Sequence, residues 1–288
     1  MDFNLPTTKF SKTAVYAAVV VSGLTGMLNA ALVVYEPFDY TAGALGSTSS
    51  SDIGFGAAEW EATGTNVYAY TTGLTFTGLT TGGGSVARPT PSGNSEMNRA
   101  LSGSAVTDLT TVPSGTIYFS TLIRVNNISG NSNAGLVFGT HAVDPGVEPL
   151  GATDAGQEGF GFSVNNQRLY AVGIDDGIRS QSTGSLAVST NNTLASTTYM
   201  IVGQIDWGAT DTLTLYNVTD VNAALPTSFA TITGDLDESA FTTLALGDRQ
   251  ISNIDEIRFG TTLASVIPEP STVMLSTIGS ILLLRRRR

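Results

Sequence analysis

The sequence holds one histidine, His141, and no cysteine. A serine nucleophile needs a base within hydrogen-bond reach, yet this imidazole sits in a stretch rich in glycine, proline and acids, and no Gly-x-Ser-x-Gly elbow accompanies it. His141 therefore reads as a solvated loop residue. The absence of cysteine excludes disulfides, thiolate metal sites and cysteine nucleophiles together. A single histidine excludes multi-histidine zinc or iron centres. What remains is oxygen chemistry from 24 acids. Two acidic clusters, Asp175-Asp176-Gly177 and Asp235-x-Asp237-Glu238, read as turns, since neither follows the fixed spacing of an EF-hand loop. Calcium is the cation such oxygen-rich rims could take, although no ligand set can be named. Trp60 and Trp207 are the candidate ligand-binding residues, because an indole face can stack on a sugar ring; the competing reading places both in a core. No catalytic residue is assigned.

The elements that position these residues are strands. Thr116 to Val125 sets Ile117, Phe119, Ile123 and Val125 on one face, and Tyr199 to Trp207 does the same with Tyr199, Ile201, Gly203, Ile205 and Trp207. Phe160–Val164, Thr212–Val218 and Ile254–Phe259 repeat the pattern. Turn formers separate them: Asn165-Asn166, Asp175-Asp176-Gly177 and Gly208-Ala209. No segment keeps a helical period for the ~10 to 12 residues that identify a helix. The expectation is an all-β chain, an antiparallel sandwich more than a barrel, with long Gly/Ser/Thr-rich loops at 41–52 and 78–95. On an ideal strand Asp255 shares a face with Ile257 and Phe259, which predicts a partly buried, paired carboxylate, and Glu256 with Arg258 predicts a surface pair.

Both ends are built differently. Lys9 and Lys12 precede an apolar run from Ala14 to Leu28, and Leu28-Asn29-Ala30-Ala31 supplies small residues, the layout of a helical secretory signal cleaved after Ala30, with Ala31 as the neighbouring option. The run is short and poor in Leu and Ile for the ~20 residues of a permanent span. At the other end Pro268-Glu269-Pro270 precedes an apolar stretch, Thr272 to Leu284, and Arg285, Arg286, Arg287 and Arg288. The prolines lack backbone donors and keep their surroundings extended. Basic residues at both ends hold both on the inner side, so the chain between them is looped across the membrane. The organisation is thus a signal peptide at 1–30, a β domain at 31–266 and a tail at 267–288. Setting aside the terminal Asp2, Glu269, Lys9, Lys12 and the last four arginines leaves 22 acids against 7 arginines, a net charge of −15. Such a surface repels phosphate backbones and anionic lipid, which argues against nucleic-acid binding.

The tail resembles the PEP-CTERM sorting signal of Gram-negative bacteria, with motif, hydrophobic helix and basic terminus in order. That resemblance implies processing by an exosortase, a membrane-embedded transpeptidase-like enzyme, with transient anchoring in the inner membrane through the C-terminal helix. It also implies a destination in the cell envelope or at the extracellular surface. The domain is similar to exported proteins with a concanavalin A-like, laminin-G-like jelly roll that carry the same tail. The phrases that carry this similarity are Val34-Tyr35-Glu36-Pro37-Phe38-Asp39-Tyr40, Tyr118 to Val125, Tyr199 to Trp207 with Asp211 to Tyr216, and Ile254-Asp255-Glu256-Ile257-Arg258-Phe259-Gly260. In that fold the first and last strands are neighbours, which would set Tyr35–Phe38 beside Ile254–Phe259. Retaining laminarinase-type glycosidases on the same fold show Glu-x-Asp-x-x-Glu; with Asp255 at the centre, Asn253 and Arg258 stand at the two glutamate positions, so both catalytic carboxylates are missing. The resemblance therefore implies a non-catalytic, glycan-binding domain at an envelope or extracellular matrix, without a cofactor. Extracellular polysaccharide is then the partner class. The alternatives are a polysaccharide-active enzyme and a structural adhesin that works by self-association.

Overall fold

Alternation becomes pairing in the computed structural model, which describes residues 31–267 except 41–51, 65–68, 80, 88–94, 113–114, 126–133, 141–154, 166, 189–196 and 249–251. The expected signal helix at 1–30, the Pro-Glu-Pro motif, the hydrophobic run and the arginine cluster lie outside the described residues, as do His141 and residues 41–51 of the expected loop. In chain order the strands are β1 (Leu32–Glu36), β2 (Glu61–Gly64), β3 (Ala69–Thr72), β4 (Gly84–Ala87), β5 (Ser95–Ala100), β6 (Thr116–Val125), β7 (Ala134–Gly139) and β8 (Gly159–Asn165). They continue as β9 (Arg168–Asp175), β10 (Ile178–Gln181), β11 (Leu186–Ala187), β12 (Thr198–Asp206), β13 (Asp211–Val218), β14 (Ala230–Gly234), β15 (Thr243–Asp248) and β16 (Ser252–Gly260). Helix α1 (Gly103–Thr110) links β5 to β6, and a one-turn helix α2 (Leu263–Val266) follows β16.

Two antiparallel sheets result. The first runs β14-β13-β12-β6-β16-β4-β3, with β1 also paired to β16; the second runs β10-β9-β8-β7-β15-β5-β2, with β11 also on β9. They pack face to face as a jelly-roll sandwich, the fold class expected from the alternation. Ile117, Phe119, Ile123, Ile201 and Phe259 of the first sheet meet Leu136, Phe138, Phe160, Phe162 and Leu246 of the second in one core. Phe138 bridges the layers, 5.2 Å from the Phe259 ring and edge-on to Phe241 at 5.0 Å. Gly203 is required there: a Cβ on it would lie 2.0 Å from the Phe119 ring across the β12–β6 pair. The first and last strands are neighbours as expected, with Tyr35 opposite Arg258 and Glu36 opposite Ile257.

The first sheet is covered on its outer face as well. Leu122, Met200, Val202 and Val218 lie under Leu74, Phe76 and Leu79 and under α2, whose Val266 and the following Ile267 are buried. Ser120 fixes that helix by donating its hydroxyl to Val266 O at 2.6 Å.

Two elements differ from the sequence reading. Helix α1 was not expected, because eight residues with only Ala105 and Leu109 buried are too few to establish a period; Ser102 caps it by accepting from Ala105 N. Strand β4 lies inside the stretch expected to be loop at 78–95. It is four residues long and meets β16 only at Ala87–Asn253 and Val86–Ile254, so pairing supplies what a Gly/Ser-rich sequence does not signal.

Candidate functional site

Strand β16 is the centre of a buried polar cluster, and its geometry follows from an extra residue. Between Asp255 and Arg258 the register against β6 shifts, and Glu256 takes a φ of 52°. This bulge reverses the alternation. Ile254, Ile257 and Phe259 all face the core, whereas Asp255, opposite Leu122, and Arg258, opposite Ser120, face outward. The expectation that Asp255 shares a face with Ile257 and Phe259 is corrected by that one inserted residue.

At the bulge β16 also lacks a strand on its other side, since β1 pairs from Gly260 to Ile257 and β4 only at Asn253 and Ile254. Carboxylates fill the gap. Asp255 Oδ2 accepts from Leu74 N at 2.7 Å and Oδ1 from Glu256 N at 2.7 Å. Glu256 Oε1 accepts from Gly82 N at 2.5 Å and from the Tyr35 hydroxyl at 3.3 Å, and Oε2 accepts from Arg258 Nη2 at 2.6 Å. The two acids tie the segment 74–82 down over the outer face. Arg258 also lies over the Tyr35 ring, 4.5 Å from its centroid. The expected Glu256–Arg258 pair is present but buried, not on the surface, because the cover segment closes over it.

A second buried acid, Glu36, faces inward at the end of β1 and joins the two sheets. Its Oε1 accepts from Phe38 N at 2.9 Å, which holds Phe38 at a φ of 52°. Its Oε2 accepts from Tyr40 Oη at 2.7 Å, Trp60 Nε1 at 2.9 Å and Arg99 Nη1 at 3.0 Å. Arg99, on β5 of the opposite sheet, also pairs with Asp52 at 2.6 Å, donates to Ala58 O at 3.1 Å and lies 4.3 Å from the Phe55 ring centroid. Neither Glu36 nor Arg99 was singled out from the sequence. The signal existed: Met97, Arg99 and Leu101 share one face of an alternating segment, which puts the arginine at a core position.

Burial raises the pKa of Glu36, opposed by Tyr40, Trp60, the Phe38 amide and Arg99. Burial pushes Tyr35 up to about 12, with the Glu256 carboxylate adding to it. Asp255 is pushed up to about 8, first by burial and then by the charges of Glu256 and Glu36, against the two amides it accepts from. Because its folded pKa lies above the ordinary 3.8, this group's contribution to stability is full below about pH 4 and is lost as pH rises to about 8. Thermal unfolding of the parent and Asp255→Asn should show it. Asparagine loses one accepted amide bond at every pH, so the parent's advantage should be largest near pH 4 and shrink towards pH 8; a pH-independent difference would contradict this titration.

The sequence-predicted tryptophans are placed otherwise than sugar binding would require. Trp60 is 4 % exposed, its N–H spent on Glu36 and its ring stacked 6.0 Å from Phe38. Trp207 is half-buried, donates to Leu109 O at 3.0 Å, stacks on Phe160 and meets Phe241 edge-on. Both indoles pack with the core instead of standing as platforms, because residues alternating with Tyr199 and Ile205 point between the sheets. The acidic clusters are turns: Asp176 and Gly177 take φ of 44° and 78° between β9 and β10, and Asp237 accepts from Ser239 N at 3.0 Å to cap a 3-10 turn. Among the described residues no group of three or more His, Cys, Asp and Glu is arranged to hold a metal, and no helix is long and apolar enough to cross a membrane.

No family model and no curated protein matches the chain. Solved structures of similar shape include a carbohydrate esterase from the Shiga toxin-encoding bacteriophage phi24B, at 14% identity and a TM-score of 0.43 over 70% of this chain and 90% of that one. The receptor binding domain of botulinum neurotoxin C/D mosaic serotype aligns at 10% identity and a TM-score of 0.45, over 81% of this chain and 49% of its own, so this chain spans about half its length. A protein of unknown function from Shewanella oneidensis MR-1 aligns at 11% identity and a TM-score of 0.45, over 91% and 98%.

The chemistry of the buried cluster is that of a clasp. In each of Glu36, Asp255 and Glu256 one carboxylate oxygen accepts from a donor within two residues, and the other accepts from a segment distant in sequence. The motif phrases around Tyr35-Glu36 and Asp255-Glu256 close the sandwich and seat its outer cover.

Proposed function

We propose that the chain is an exported, non-catalytic binding domain that works at the envelope or in the extracellular matrix of a Gram-negative bacterium, with a neutral polysaccharide as its ligand class. Its signal peptide directs export. Its tail holds it transiently in the inner membrane until an exosortase processes it near Pro268-Glu269-Pro270. The observation that carries the delivery reading is the fit of the fold between two targeting-type segments: β1 opens at Leu32, two residues after Ala30, and Ile267, the last buried residue among those described, directly precedes Pro268. The acids at the centre of the fold support the non-catalytic part of this reading, since their oxygens are engaged in holding the chain together.

The test is processing in the host. Glu269 is the only charge between the two prolines, so Glu269→Ala should accumulate as an unprocessed, membrane-bound form in fractionated cells while folding like the parent. Amino-terminal sequencing of the processed parent should begin at Ala31. Normal processing of Glu269→Ala, or material that begins at Met1, would overturn the delivery reading.

A further inference from the structure

The cover on the outer face of the first sheet stops part-way along the strands. Where β6, β12 and β13 continue past Leu122, Val202 and Val218, two cross-strand rows face outward beyond it, with Tyr118 packed against its edge. One row is Tyr118, Gln204, Thr214 and Thr231; the next is Thr116, Asp206, Thr212 and Thr233. All eight are half-buried or exposed, and none is basic. Tyr216, one step back and opposite Val202, is half-buried and leans onto this patch, with its hydroxyl 3.5 Å from Gln204 Oε1. We infer that this patch, with Tyr118, Tyr216, Gln204 and Asp206 at its centre, is the platform on which a neutral polysaccharide seats a sugar unit; the inference rests on the glycan-binding part of the proposed function.

The residue types match what a sugar presents. A pyranose offers one face of C–H groups and a rim of hydroxyls, so its recognition needs aromatic surface beside planar donors and acceptors. Tyr118 on β6 and Tyr216 on β13 flank the central strand β12, two strand spacings or about 9.6 Å apart across the sheet and staggered by two residues along it. Between them the Gln204 amide donates to both oxygens of Asp206, at 3.0 and 2.9 Å, and Thr116 donates to Oδ1 at 2.7 Å. That network fixes the rotamers of the amide and the carboxylate before any ligand arrives, which limits the ordering cost of binding. Burial and the nearby Asp206 hold both phenols above their ordinary pKa, so they stay neutral donors. A carboxylate without a basic neighbour in the patch, on a domain of net charge −15, accepts from sugar hydroxyls and disfavours uronic acids or sulfated chains.

Retention of the full chain, in a zwitterionic detergent, on insoluble curdlan, xylan, agarose and calcium alginate tests this. Retention is expected on at least one of the three neutral matrices and not on alginate. Tyr118→Ala and Asp206→Asn should each weaken that retention about tenfold or more, while Ile178→Ser on the other sheet leaves it unchanged. Asp206→Asn keeps the side chain's shape, so its loss of binding stands apart from misfolding, and far-UV circular dichroism of each variant checks the fold. Retention on a neutral matrix that neither variant alters would overturn the platform and leave the glycan reading standing. Retention on alginate alone, or a dimer that the two variants abolish, would also overturn it. Absence of retention on every matrix would overturn the platform together with the glycan reading.

Discussion

Replacing Arg99 with alanine is expected to cost about 3–5 kcal/mol of folding stability, because it strands a charged group in the core. Arg99 is 2 % exposed and reaches from the second sheet to Glu36, which is fully buried on the first. Removing it leaves Glu36 with two side-chain donors, Tyr40 and Trp60, and no cation, and releases Asp52 and Ala58 O as well. Glu36 can then stay charged or take up a proton, and either state costs stability. The same reasoning predicts strong coupling. Once Glu36→Gln has removed the buried charge, Arg99→Met should cost far less than it does alone, since contacting partners in one network are not additive. Urea unfolding of the two single variants and the double variant measures this directly. Single-variant losses that simply add in the double variant would show that the pair does not act as a unit.

A chain ending at Gly260 is expected to lose most of its net stability, whereas one ending at Ile267 should unfold like the full domain. Val266 and Ile267 fill the outer-face cluster, and burying side chains of that size stabilises by about 1.5–3 kcal/mol each. Loss of Val266 also leaves the buried Ser120 hydroxyl without its acceptor, at about 1–3 kcal/mol. The combined effect, about 4–9 kcal/mol, is comparable to the whole margin of a typical domain. Thermal unfolding of the two truncated chains tests it. Equal midpoints would show that α2 rests on the sheet without supporting it. The outcome also bears on delivery, because a cut after Ile267 would leave α2 in place while a cut before Leu263 would strip the outer face.

Much of the sandwich was legible because a strand with one face in a core declares itself at period two. β6, β8, β12, β13 and β16 all lie where alternation placed them, and the β1–β16 neighbourhood follows the resemblance of the opening and closing phrases. The tryptophans show the limit of that logic. A β-strand aromatic reads equally well as core or as platform, and only the partner sheet distinguishes them: Phe160 and Phe241 close on Trp207, and Phe38 and Glu36 close on Trp60. The outer-face tyrosines had no signal at all, because Tyr118 alternates with Phe119 as any surface residue would.

The sequence by itself determined what depends on local order: the period of each strand, the turn at Asp176-Gly177, and the exclusion of thiol and multi-histidine chemistry. Tertiary structure alone decided what depends on which distant segments meet. The single extra residue at Asp255-Glu256 turned one face of β16 into the other, and Leu74 and Gly82, more than 170 positions away, supplied the amides that those acids accept. An acid pair in a strand is solvated unless something covers it, and what covers it here arrives from the opposite end of the chain. The charge on Glu36 became tolerable by the same route, when β5 carried Arg99 across the core to meet it.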